Sequence, residues 1–80
     1  MRLTVKLFAM LKQYAPQQQK PGEPFIVELP EGSTINDLLA QLGIPERVVK
    51  VTFVDGHARG SIFRLKPDAE VGIFPPVGGG

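Results

Sequence analysis

Between residues 31 and 43 the chain sets Ile35, Leu38, Leu39 and Leu42 at i, i+3, i+4 and i+7, one apolar stripe along a helix. The ends of this helix are marked in the same stretch. Thr34 is a good N-cap, and Asp37 stands three residues on, a capping-box arrangement with Asp in place of the usual Glu. Gly43 suits a left-handed C′ position, and Pro45 prevents continuation. This is the clearest helix in the 80 residues, and a helix with one apolar stripe has to bury that stripe against something. The rest of the chain offers mostly strands.

Residues 2–8 alternate, with Leu3, Val5 and Leu7 on one face and Arg2, Thr4 and Lys6 on the other. Phe8, Leu11 and Tyr14-Ala15 then recur at helical spacing, which predicts a short helix ended by Pro16. Residues 17–24, broken by two prolines and a glycine, read as a loop. Phe25, Val27 and Leu29 share one face of a second strand, bounded by Pro24 and Pro30. After the helix, Val49, Val51 and Phe53 alternate with Lys50, Thr52 and Val54, and Asp55-Gly56 signals a hairpin turn. Residues 57–66 are irregular or hold a short strand, Pro67-Asp68-Ala69 is a turn, and Val71–Phe74 is a last strand stopped by Pro75-Pro76. The order predicts an α+β domain in which a mixed sheet of four to five strands packs on one main helix. The first and last strands, rich in β-branched and aromatic residues, are expected at the sheet centre. Phe8, Phe53 and Phe63 are expected in the core, with Phe74 half-buried.

Composition removes whole classes of function. The chain has no cysteine, so disulfides, thiolate metal sites and a cysteine nucleophile are excluded, and His57 stands alone as a possible metal ligand. Net charge is +1, which favours neither nucleic acid nor an acidic membrane. No apolar run approaches the ~20 residues that span a bilayer, and the N-terminal stretch is a poor signal peptide, so a cytoplasmic chain is expected. There is no phosphate-binding glycine motif, so the chain supplies no nucleotide site of its own. Asp55, His57 and Ser61 lie close in sequence but read as a hairpin turn, and Arg47, Lys50, Arg59, Arg64 and Lys66 as a solvated face.

The closing residues carry the strongest functional signal. Phe74-Pro75-Pro76-Val77-Gly78-Gly79-Gly80 joins a large aromatic and a stiff Pro-Pro step to a glycine run. Glycines have no side chains to pack and are costly to order, so their expected use is to carry a terminal carboxylate into a slot too narrow for side chains. That reading makes Gly80 the reactive residue and Gly78 and Gly79 its thread. It also divides the chain into a domain over 1–74 and a tail over 75–80. From Pro75 to Gly80 the extended chain reaches at most ~20 Å. The tail cannot offset its own ordering, so the body must dock through an apolar surface near Phe74, Pro75, Pro76 and Val77.

Three stretches together, KLFAMLKQYA at 6–15, TINDLL after the Pro-Glu-Gly-Ser turn at 30–33, and DAEVGIFPPVGGG at 68–80, resemble the MoaD/ThiS family of small sulfur carriers. The short helix after the first strand looks more like the MoaD branch. The resemblance implies the ubiquitin-like β-grasp fold and a carrier that is not itself an enzyme. In that family an adenylating enzyme of the ubiquitin-activating type, MoeB/ThiF-like, joins the terminal glycine, here Gly80, to AMP. The adenylate becomes a thiocarboxylate that gives its sulfur to an acceptor on a synthase subunit, with molybdopterin-type cofactor synthesis favoured here. Gly78 departs from the bulkier residue usual in molybdopterin carriers, and a thiazole, cysteine or thiolated-tRNA pathway stays open. Two other functions stay open as well: a ubiquitin-like modifier conjugated to lysine through Gly80, and a non-catalytic β-grasp interaction module with an inert tail.

Overall fold

The computed structural model describes residues 1–16 and 20–76. Five strands form one sheet: β1 (Arg2–Leu7), β2 (Phe25–Glu28), β3 (Val51–Val54), β4 (His57–Arg59) and β5 (Glu70–Phe74), in the order β2-β1-β5-β3-β4. The β1–β5 pair is parallel and the other pairs are antiparallel, so the sheet is mixed. As expected, the first and last strands hold the middle, β5 at the centre and β1 beside it.

The main helix, α1 (Ile35–Leu42), covers one face. Its capping box is closed in both directions: the Asp37 amide donates to Thr34 Oγ1 at 3.2 Å, and the Thr34 amide donates to Asp37 Oδ2 at 2.9 Å. Gly43 takes the left-handed conformation (φ 73°) that lets the chain leave the helix. The amides of Ile35 and Asn36 donate to the carbonyls of Phe63 and Ser61. The irregular segment after β4 therefore satisfies two of the donors that a helix start leaves open.

The core lies between α1 and the sheet. Leu3, Val5, Leu7, Val71 and Ile73 project from β1 and β5 onto Ile35, Leu38 and Leu39, all buried. Leu42, the fourth residue of the stripe, is only partly buried. It lies over edge strand β2 in an open groove shared with Tyr14, Ile26, Val27 and Gln41, and among the described residues no strand beyond β2 covers it.

Two expectations for the core are corrected. The strand over Val51–Val54 buries Thr52 and Val54, while Phe53 is 36% exposed. Val51, Phe53 and Val54 are all apolar, so alternation alone leaves the phase open, and a shift of one residue exchanges the faces. Pairing with β5 decides it. Thr52 opposes Ile73 and Val54 opposes Val71, both core residues, whereas Phe53 opposes Gly72 on the outer face. Phe8 and Phe63 are likewise half-buried and not part of the buried core. Their expected places are taken by Leu11, Ile44, Leu65 and Ala69, which come from the connections between strands. The short helix after β1 is a 3-10 helix, Ala9–Tyr14, that buries only Leu11. The Asp55-Gly56 turn is the expected two-residue hairpin, with positive φ at both residues (50° and 84°). Among the described residues no helix is long and apolar enough to cross a membrane.

Candidate functional site

Among the described residues, no element covers the face of the sheet opposite α1. Strand alternation brings to it Lys6 from β1, Glu70, Gly72 and Phe74 from β5, and Phe53 from β3. Phe8, just past β1, joins them. Its ring stacks on Phe74, with centroids 4.1 Å apart and planes 5° from parallel. Phe53 meets Phe74 edge-on at 5.6 Å and 86°. The edge-on geometry of the second pair suits the quadrupoles of aromatic rings. The three rings, with Lys6, Gly56, Glu70 and Gly72, line a shallow cleft of about 310 Å³. On its rim the Lys6 Nζ lies 3.3 Å from Glu70 Oε1.

Local backbone constraints hold these rings. The Phe8 amide donates to the Ile73 carbonyl at 3.1 Å, tying Phe8 to the central strand. Ala9 turns through the left-handed region (φ 53°), unusual for a residue with a Cβ, so the chain leaves β1 sharply and lays Phe8 against Phe74. Gly22 closes the far side of the Phe8 ring. A Cβ there would lie 3.0 Å from Phe8 Cε1, so glycine permits this approach.

The stem leads straight out of this cluster. The Phe74 carbonyl accepts from the Lys50 amide at 2.8 Å. Phe74 and Pro75 are half-buried and Pro76 is exposed. An apolar surface lies beside the stem, and its sheet neighbours are Phe8 and Phe53, aromatics expected in the core. Gly72 was missed. A lone glycine between Val71 and Ile73 inside a strand was the available signal, since such a glycine marks a bulge or a close approach. Val77, Gly78, Gly79 and Gly80 lie outside the described residues.

The remaining candidates resolve as turn and surface. The Asp55 carboxylate accepts from the Glu70 amide at 2.9 Å, and His57 Nδ1 lies 3.2 Å from the Asp55 carbonyl oxygen. The first contact ties the hairpin to β5 and the second lies within the turn, and among the described residues no hydrogen bond links either group to Ser61. Arg47, Lys50, Arg59, Arg64 and Lys66 are all exposed; Arg64 donates to the Gly32 carbonyl, and Arg59 lies 4.7 Å from the Phe63 ring centroid. Among the described residues no group of His, Asp and Glu is placed to hold a metal ion.

One helix clasped by a mixed five-stranded sheet, with β1 and β5 parallel at its middle, defines a ubiquitin-like β-grasp domain. The family model of the ThiS family matches residues 5–80, and the chain belongs to that family of MoaD/ThiS-type carriers. Among solved structures it is similar to a Pyrococcus furiosus chain assigned as molybdopterin converting factor, subunit 1, at 28% identity and TM-score 0.72, covering 95% of this chain and 98% of that one. It is also similar to SAMP1 from Haloferax volcanii, at 24% identity and TM-score 0.72 over 100% of both chains. A third is a chain of the complex between subunits 1 and 2 of molybdopterin-converting factor from Helicobacter pylori, at 22% identity and TM-score 0.61 over 100% of both chains. At these last two identities the likeness is one of fold. No curated protein matches the chain significantly.

Proposed function

We propose that this chain is a sulfur carrier in molybdopterin-type cofactor synthesis, with the Gly80 carboxylate as its working group. The uncovered aromatic face beside the stem carries this reading, because it supplies a docking surface where a threaded tail needs one. A separate adenylating enzyme of the ubiquitin-activating, MoeB/ThiF-like type binds the body and takes in Gly78, Gly79 and Gly80. A Gly80 carboxylate oxygen attacks the α-phosphate of ATP, and pyrophosphate leaves. A sulfur nucleophile held by the partner system then displaces AMP from the acyl carbon, so one oxygen departs with AMP and sulfur takes its place. The thiocarboxylate next gives its sulfur to an acceptor on a synthase subunit. The chain itself binds no nucleotide and catalyses no step.

The P. furiosus relative supports the molybdopterin assignment, and in the H. pylori complex a chain of the same fold is joined to subunit 2 of molybdopterin-converting factor, the kind of partner proposed here. Such chemistry places the carrier in the cytoplasm. ATP–pyrophosphate exchange tests the first step: the intact chain drives exchange by its adenylating enzyme, and a chain lacking Gly80 does not. Exchange that survives loss of Gly80 refutes the reading. Isopeptide-linked conjugates on lysine in cells, without a thiocarboxylate, would assign the chain to the modifier class.

A further inference from the structure

We propose that Gly72 floors a socket for one large apolar side chain of the adenylating enzyme, and that its missing side chain is a binding determinant and not a requirement of the fold. This rests on the reading that a separate enzyme activates Gly80.

Gly72 sits in the middle of the central strand, opposite Lys6 on β1 and Phe53 on β3. Glycine there weakens a strand, because it loses the most conformational freedom on ordering and packs nothing on its neighbours. The backbone does not ask for it. Gly72 is not among the residues with positive φ, and a Cβ would lie 3.4 Å from Phe8 Cε2 and 3.6 Å from Phe74 Cε2, ordinary contact distances. Gly22 differs on both counts, with φ 78° and a Cβ position 3.0 Å from Phe8. The fold therefore needs Gly22 and has room for a Cβ at 72.

The absent side chain opens the cleft between the rings. Its walls are Phe8, Phe53 and Phe74, preset by stacking, by the Phe8–Ile73 hydrogen bond and by the buttress of Gly22. Its opposite rim is the Lys6–Glu70 pair. An apolar pocket with a charged border is the usual setting for one anchoring side chain at an interface.

The position of the tail selects the occupant. Gly80 lies four residues beyond Pro76. Fully extended, those residues reach about 14 Å. An enzyme that acts on the Gly80 carboxylate must lie against the end of the sheet from which Phe74 leads into the stem. The socket runs along the outer face from Phe74 towards Glu70 and Gly56, so that enzyme meets its Phe74 end.

The test sets Gly72→Ala and Gly72→Leu beside wild type, with thermal unfolding of each and the KM and kcat of ATP–pyrophosphate exchange by the cognate adenylating enzyme. Filling the socket should leave the melting temperature at or above wild type. For Gly72→Leu, KM should rise about tenfold or more, the scale of a lost anchor, while kcat at saturation changes little. Gly72→Ala should move KM in the same direction by less. Wild-type KM in a folded Gly72→Leu chain overturns the socket and leaves the activation of Gly80 standing. No exchange with the wild-type chain overturns both. Self-association of the wild-type chain that Gly72→Leu abolishes, with KM unchanged, assigns the socket to a second copy and overturns the proposal.

Discussion

The two faces of the sheet are built from the same strands and differ in almost everything else. On the inner face β1 and β5 present Leu3, Val5, Leu7, Val71 and Ile73, fully enclosed under α1. On the outer face the alternate positions carry Lys6, Glu70, Gly72 and Phe74, joined by Phe8 and Phe53, and among the described residues no element covers them. The inner face is branched and aliphatic, which suits dense packing in defined rotamers. The outer face is aromatic with a glycine hollow, which suits a partner that comes and goes. Stability is thus concentrated on one side of β5 and recognition on the other, with one residue step between them.

Substitutions can break this division, and the largest effect should come from the inner face. Leu38→Ala should destabilise the domain by about 2–5 kcal/mol, read by denaturant unfolding, and should weaken partner binding only through loss of folded protein. Phe74→Ala should come next, because its half-buried ring joins both aromatic contacts. Loss of the ring pairs, each worth about 0.5–1.5 kcal/mol, should lower stability modestly while partner affinity falls by more. Phe53→Ala should sharpen the contrast: stability changes by about 1 kcal/mol or less, with a clear loss of affinity in calorimetry. Equal losses of stability for Phe53→Ala and Leu38→Ala would erase the distinction between the faces. The smallest effect is expected at Ala9. Its left-handed backbone costs about 1–2 kcal/mol in a residue with a Cβ, partly offset in Ala9→Gly by greater freedom of the unfolded chain. The net result should be a small gain in melting temperature.

The inner face was legible in the sequence and the outer face was not, for a physical reason. The stripe at Ile35, Leu38 and Leu39, the Thr34–Asp37 cap and the alternation of Leu3, Val5 and Leu7 are local patterns, and local patterns were enough to predict a sheet packed on one helix; the β-grasp arrangement came with the family resemblance. The site depends on register. Phe53 faces outward because β3 pairs with β5 so that Val54 meets Val71. Phe8 reaches Phe74 only because β1 and β5 run parallel and Ala9 turns the chain. Neither fact is written within a few residues of the side chain it places, and large aromatics were assigned to the core by default. The stem at Phe74, Pro75 and Pro76 stands out in the sequence because its motif is local. Gly72 was visible as a letter, but its use appears only when Phe8, Phe53 and Phe74 are assembled around it.

The central claim is that the Gly80 carboxylate is the group on which the chain acts. Intact-protein mass spectrometry after incubation with the cognate adenylating enzyme, ATP and a sulfur source tests it most directly. The intact chain should gain the mass difference of one oxygen replaced by sulfur. A variant with one residue added after Gly80 should not, because the carboxylate is displaced by about 3.5 Å, and misplacement by ~1 Å already slows such chemistry on the order of a hundredfold. An extended variant thiocarboxylated as fully as the intact chain would contradict the account.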